Sequence, residues 1–278
     1  MINMKRHLLI TAALSLLLGW TLAAQTQEVR IFSHRGGRME YDENTLSAFQ
    51  ASYDAGYRGF ETDIRMTRDG AFVITHDHTL DRTTNGHGII EEKTEAEVRA
   101  LRTKGGHKML FLDELLDWLK DKKGLYVEFE LKTRPEHLYP KERLEPYCDH
   151  IYHAIKAVQP ADAQFVITSG DTRGLRYIQQ KYPDADLLLI VGRPCNDETI
   201  ALCKAMGIKR LGAKIEGTSR KDVEKAHKEG LIVSLWPGHC PEDAVLGTYL
   251  GADYLCTDTP IAVKTFLDGK MPWIKARY

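Results

Sequence analysis

The sequence predicts a closed (β/α)8 barrel, the TIM barrel, within the α/β class. Three observations predict it. From residue 125 onward, short apolar runs alternate with amphipathic stretches, the pattern of βα units around a parallel sheet. Nine segments read as strands, but the connection 64–71 is too short for a crossover helix. Residues 72–76 are therefore the return arm of a hairpin, and eight staves remain. No glycine-rich dinucleotide turn follows the first strand, which counts against a doubly wound open sheet.

In order, residues 29–33 read as the first strand, running into the flexible His34-Arg35-Gly36-Gly37. Asn44 suits the N-cap of a helix over 45–55 that stops at Gly56. Residues 59–65 form the second strand. Successive strand side chains alternate, so Glu61 and Asp63 share one face, while Phe60, Thr62 and Ile64 pack under helices. Asp69-Gly70 signals a turn, and a hairpin centred between them sets His76 opposite Asp63. Residues 77–112 are polar and poorly periodic apart from a helical piece at 94–101. They read as an insertion over one end of the barrel. An amphipathic helix over 112–119 restores regularity. Strands then follow at 125–131, 164–168, 186–191, 210–215, 231–236 and 253–257. Helices are expected at 144–158, 172–181, 197–206, 220–229, 242–250 and 260–267.

Lys5 and Arg6 precede an apolar run over 8–20, and Ala23-Ala24 supply a small cleavage site. That is the pattern of a signal peptide at 1–24, which implies a secreted or periplasmic domain over 25–278 with no stable membrane insertion after cleavage. The run is short for a membrane span of about 20 residues. Without residues 1–24 the chain carries 36 basic and 39 acidic residues, a balance that predicts no nucleic-acid partner. Five irregularly spaced cysteines argue against a disulfide framework, and no Cys-x-x-Cys supports zinc or redox chemistry.

Functional groups of such a barrel gather at the C-terminal ends of its strands. Those ends carry His34-Arg35, Glu61 and Asp63 with His76 on the return arm, Glu130 and Lys132, Trp236, and Thr257-Asp258. Two carboxylates side by side inside a fold need a cation or a shared proton. Carboxylates around a hard divalent cation, Arg35 and Lys132 for phosphate oxygens, and two imidazoles to move protons together suit a phosphate ester. Glu128 reads as a deeper structural residue of the same strand face, Asp77 as an orienting hydrogen-bond partner, and His239 as a loop residue.

His34-Arg35-Gly36, Glu43-Asn44-Thr45 with Ala48-Phe49, Gly59-Phe60-Glu61-Thr62-Asp63 with Thr67-Arg68-Asp69-Gly70, and His76-Asp77 with Leu80-Asp81-Arg82-Thr83-Thr84 resemble the glycerophosphodiester phosphodiesterase family. Phe111-Leu112-Asp113-Glu114, Glu130-Leu131-Lys132 and Gly251-Ala252-Asp253 through Thr257-Asp258-Thr259-Pro260 continue the resemblance over nearly the whole mature chain. It implies a phospholipase-C-like TIM barrel that cleaves a small-molecule glycerophosphodiester to glycerol 3-phosphate and an alcohol, with Ca2+ or Mg2+. It implies His34 and His76 as the acid/base pair and Glu61, Asp63 and Glu130 as metal ligands. Arg35 and Lys132 become phosphate contacts, and Trp236 a wall for the glycerol end. The family often carries Trp-Thr-x-Asn where this chain has Trp236-Pro237-Gly238-His239, so the polar contact beside Trp236 is altered. The competing expectations are a phospholipase on intact lipid and a non-catalytic barrel that binds a phosphorylated ligand.

Overall fold

The computed structural model describes residues 28–278; the expected signal peptide lies outside the described residues. Eight parallel strands close into a barrel: β1 (Val29–His34), β2 (Gly59–Met66), β4 (Tyr126–Leu131), β5 (Gln164–Ser169), β6 (Leu187–Pro194), β7 (Arg210–Lys214), β8 (Ile232–Gly238) and β9 (Tyr254–Thr257). Pairing of β1 with both β9 and β2 completes the ring. The hairpin arm β3 (Phe72–Ile74) runs antiparallel to β2 outside it. A two-residue strand near the C-terminus, β10 (Ala276–Arg277), pairs with Val29 and Arg30, which lie beyond the reach of β2. Sequence pattern does not reveal a strand so short.

The outer layer holds α1 (Leu46–Asp54), α3 (Leu112–Leu119), α4 (Lys141–Val158), α5 (Thr172–Lys181), α6 (Asp197–Ala205), α7 (Arg220–Lys228), α8 (Pro241–Leu250) and α9 (Pro260–Lys270). The short α2 (Glu95–Arg99) sits in the long β3–α3 connection, where Thr94 and Glu97 close a capping box. That connection has its own apolar cluster, Val73, Leu80, Ile90, Val98, Met109 and Phe111. The α4 helix starts a turn earlier than expected and runs across Pro146, because Pro140 supplies extended backbone at its N-cap.

Phe60 and Ile64 are fully buried between strands and helices, each worth about 1.5–3 kcal/mol of transfer free energy. Inside the ring, Phe32, Tyr126, Val166, Leu188 and Cys256 pack together, and Tyr126 stacks on Tyr254 at 4.4 Å. This plug sits on the same inward face of β4 as Glu128, two residues before it, so the barrel interior is filled rather than an open channel.

The hairpin register differs from the sequence expectation by one residue. Ile64 pairs with Ile74, and the Thr75 N–H donates to the Asp63 carbonyl, so Thr75 stands opposite Asp63. The turn is a three-residue loop, Arg68 to Gly70, closed by the Thr67 N–H donating to Ala71 O. Gly70 takes φ +94, which glycine adopts without a Cβ penalty. The extra loop residue shifts every partner by one. His76 lies past the end of β3 and reaches the barrel mouth from the loop that follows.

Candidate active site

Strand register assembles the site. β1 against β2 sets His34 beside Glu61, and β2 against β4 sets Glu61 beside Glu128 and Asp63 beside Glu130. His34, Arg35, Glu61, His76, Glu130, Lys132 and Trp236 all line one cavity of about 100 Å³ at the barrel mouth. Asp63, fully buried, stands one step behind its wall.

Two histidines are held alike. His34 Nδ1 donates to Asp258 Oδ1 at 2.5 Å, and His76 Nδ1 donates to Asp77 Oδ1 at 2.7 Å. Each carboxylate fixes the tautomer, so Nε2 is the nitrogen left for proton transfer. His34 Nε2 lies 3.6 Å from Glu61 Oε2. Burial pushes both imidazoles below their ordinary value, against the pull of Asp258 and Asp63 respectively. Asp77 is drawn down to about 2 because bonds from Arg82 and His76 outweigh its burial. Asp258 also accepts from Arg38 Nε at 2.8 Å and from His239 Nδ1 at 2.5 Å. His239, expected as a loop residue, therefore shares one carboxylate with His34. Asp258 is legible only as a strand-end acid; the contact across more than 200 residues of chain is tertiary.

Asn44 is not the helix cap. Thr45 is, its hydroxyl accepting from the Ala48 N–H. Asn44 takes φ +58 and donates from Nδ2 to Asp63 Oδ2 at 2.8 Å. Arg35, the other left-handed non-glycine residue among the described residues, takes φ +53, and its carbonyl accepts from the Asn44 N–H. Both strained residues aim their side chains at Asp63; strain of this kind concentrates at functional sites. Arg35 Nη1 donates to Glu43 at 3.0 Å, and its Nε lies 3.1 Å from Asp63 Oδ2. Lys132 Nζ donates to Glu130 Oε1 at 2.9 Å and lies 3.6 Å from Asp63 Oδ1.

Ligand atoms of Glu61, Asp63 and Glu130 fall within 4.8 Å of one another. Glu61 Oε1 and Asp63 Oδ1 are buried without a hydrogen-bond partner. Burial and the neighbouring Asp63 push the Glu61 carboxyl well above the carboxylate range, while Arg35 and Lys132 overcome burial and hold Asp63 below it. Bare carboxylate oxygens crowded in this way fit a hard divalent cation. A second trio, His34, Glu61 and Cys256, is equally compact. Burial first, then Glu61, drives the Cys256 thiol well up, and a soft sulfur is a poorer match for a hard divalent cation than the all-oxygen trio. All five cysteines are free thiols. No helix among the described residues is long and apolar enough to cross a membrane.

The profile of the glycerophosphoryl diester phosphodiesterase family matches residues 34–262. The chain is 30% identical over 246 residues to the uncharacterized protein YqiK of Bacillus subtilis, covering 83% of this chain and 95% of that one. It is 27% identical over 250 residues to a glycerophosphodiester phosphodiesterase of Caldanaerobacter subterraneus subsp. tengcongensis, covering 83% and 94%. Its fold superposes with a TM-score of 0.77, at 21% identity and covering 86% and 97%, on an Oleispira antarctica phosphodiesterase solved with the product sn-glycerol-3-phosphate. With the barrel and its mouth as described, the chain belongs to the glycerophosphoryl diester phosphodiesterase family and is an enzyme of that class.

Proposed function

We propose that this enzyme hydrolyses glycerophosphodiesters to glycerol 3-phosphate and an alcohol, using a divalent cation held by Glu61, Asp63 and Glu130. The single observation that carries the metal reading is the pair of buried carboxylate oxygens on Glu61 and Asp63 that no hydrogen bond reaches. The ligand set is all oxygen, which favours Ca2+ or Mg2+ over zinc. The cation, when bound, polarises the phosphoryl group and offsets charge that develops on it.

Arg35 and Lys132 stand ready for phosphate oxygens. Arg35 keeps its charge: burial works against it, but Asp63, Glu61 and Glu43 more than offset that. Lys132 is likewise raised, its burial outweighed by Glu130 and Asp63. A glycerophosphodiester carries a hydroxyl adjacent to the scissile phosphate, and intramolecular attack gains effective molarity over water. One imidazole takes the proton of that hydroxyl as its oxygen bonds to phosphorus. The other imidazole gives a proton to the departing alcohol as its P–O bond breaks. Water then opens the resulting 1,2-cyclic phosphate, with the two rings in exchanged roles. Trp236 forms part of the apolar wall that receives the organic end of the substrate.

Two further points belong to this reading. Residues 1–24 serve as a cleaved signal peptide, which makes the mature enzyme secreted or periplasmic. The stretch 77–112 acts as an insertion that shapes the mouth, supported by its own apolar cluster. The deciding experiment measures glycerol 3-phosphate release from a panel of glycerophosphodiesters with and without chelator. Release that stops in chelator and returns with Ca2+ or Mg2+ is the expected outcome; no release from any ester overturns the reading. An alkyl phosphodiester without the adjacent hydroxyl should turn over poorly, and brisk hydrolysis of it rejects the cyclic intermediate.

A further inference from the structure

The cavity has two unlike halves. Its rim on β1, β2 and β4 is ionic, whereas the opposite wall is built from Leu188, Ile190, Gly212, Trp236 and Cys256. Glu128 stands between these halves, below Glu130 on the same strand face. It lines the cavity although its residue is only 4% exposed. A buried carboxyl among apolar groups is costly unless a cation or hydrogen bonds compensate it. No ion pair holds Glu128 among the described residues, and Arg210 is engaged by Asp186 at 2.7 Å. Both side-chain bonds to Glu128, from Tyr126 at 2.5 Å and Ser234 at 3.4 Å, fall on Oε1. Among the described residues no hydrogen bond reaches Oε2.

We propose that Glu128, with Ser234 beside it, recognises the terminal hydroxyl of the substrate's glycerol moiety, the one remote from the phosphate. This rests on the phosphodiesterase reading above and adds the element that selects glycerol. The chemistry restricts the occupant. A carboxyl repels phosphate, so the phosphate stays at Arg35 and Lys132. An apolar wall with one acceptor and one hydroxyl suits a short carbon chain ending in an O–H, which donates to Glu128. Leu188 and Cys256 of the cavity wall pack with Phe32 and Tyr126, which close the barrel interior beneath it, so the closed end receives the part common to all glycerophosphodiesters. The variable alcohol has a separate exit. A second, open cleft shares His76, Glu130 and Lys132 with the cavity and continues past His78, Arg134 and Asp171.

The test compares two esters of one alcohol, glycerophosphocholine and its analogue on propane-1,2-diol. The analogue keeps the hydroxyl next to the phosphate and lacks the terminal one. The ratio of their kcat/KM values is measured for the wild type, Glu128→Leu and Glu128→Gln. The wild type should favour the glycerol ester by about 10–100-fold, the order expected when a buried polar group built to pair a substrate hydroxyl is left unpaired. In Glu128→Leu the ratio should fall toward one, and Glu128→Gln, which keeps an acceptor, should restore most of it. If Glu128→Leu does not fold, Ser234→Ala carries the test, with a smaller fall in the same ratio. A wild-type ratio near one, or a ratio unchanged in the variants, overturns the proposal while leaving the phosphodiesterase reading intact. So does a Glu128 variant that, when glycerophosphoethanol is assayed beside glycerophosphocholine, changes the preference between the two alcohols rather than between glycerol and propane-1,2-diol, since Glu128 would then face the leaving group. No turnover of either ester by the wild type would instead defeat the phosphodiesterase reading, and the proposal with it.

Discussion

His34 and His76 each present Nε2 because a carboxylate occupies Nδ1. If both move protons, His34→Ala and His76→Ala should keep the circular dichroism of the wild type and lose about 10²–10⁴-fold in kcat. Near-normal kcat in either variant removes that residue from the mechanism. Asp258 holds His34 through Nδ1 and supplies a stability test. Its carboxyl lies below the ordinary 3.8: burial opposes the charge, but bonds from His34 and Arg38 prevail. A depressed carboxyl stabilises the fold fully above its unfolded value, and that contribution is lost as pH falls toward its folded value. Asp258→Asn should therefore melt below the wild type at pH 7, and the gap should narrow as pH drops below about 4. A gap that widens on acidification would show that the carboxylate does not carry this stabilisation.

At the scale of elements, the segment between β1 and α1 does more than connect them. Besides Gly36 and Gly37 it turns through two left-handed non-glycine residues, Arg35 and Asn44, which are tied backbone to backbone and point at Asp63. An L-residue other than Asn, Asp or Gly pays roughly 1–2 kcal/mol for such a backbone. Asn44→Gly and Asn44→Ala both lose the bond to Asp63, but only alanine also strains the chain. Asn44→Ala should thus be less stable than Asn44→Gly by about 1–2 kcal/mol in urea unfolding. Equal stabilities would mean that the segment relaxes and that Asn44 is not constrained. The β2–β3 hairpin shows the complementary point. Its register follows from a three-residue loop, so His76 is delivered to the cavity by the loop after β3 rather than by strand pairing.

At the scale of the whole molecule, three carboxylates from β2 and β4 face two cations, and Glu61 carries the excess repulsion. A bound divalent ion should raise the melting temperature of the wild type by mass action, worth about 2.7 kcal/mol at 100 times the dissociation constant. Glu61→Gln and Glu130→Gln remove repulsion from the metal-free protein. Without metal, both should melt no lower than the metal-free wild type, respond weakly to Ca2+ or Mg2+, and be nearly inactive. Melts of the three proteins in chelator and in excess metal check this. A wild type that is active in chelator and shows no metal-dependent shift would rule out the metal site.

The sequence alone determined the barrel, because the repeat of apolar runs and capped helices is local and periodic. It also determined which strand ends carry His34, Arg35, Glu61, Asp63, Glu130 and Lys132, because side-chain direction in a strand depends only on parity. Turn length was not so determined: Asp69-Gly70 is compatible with two-residue and three-residue loops, and only packing of β3 on β2 chose between them. The cap of α1 was read one residue early, since Asn44 and Thr45 both suit a cap until Asp63 claims the asparagine. The partnership of Asp258 with His34 and His239, and the meeting of Glu128 with Ser234 in the cavity wall, needed the closed ring; that Glu128 lies deeper than Glu130 on one strand face was legible from parity. Barrel closure brings β1 against β9 and sets the depth of each inward residue, and both depend on contacts between segments far apart in the chain.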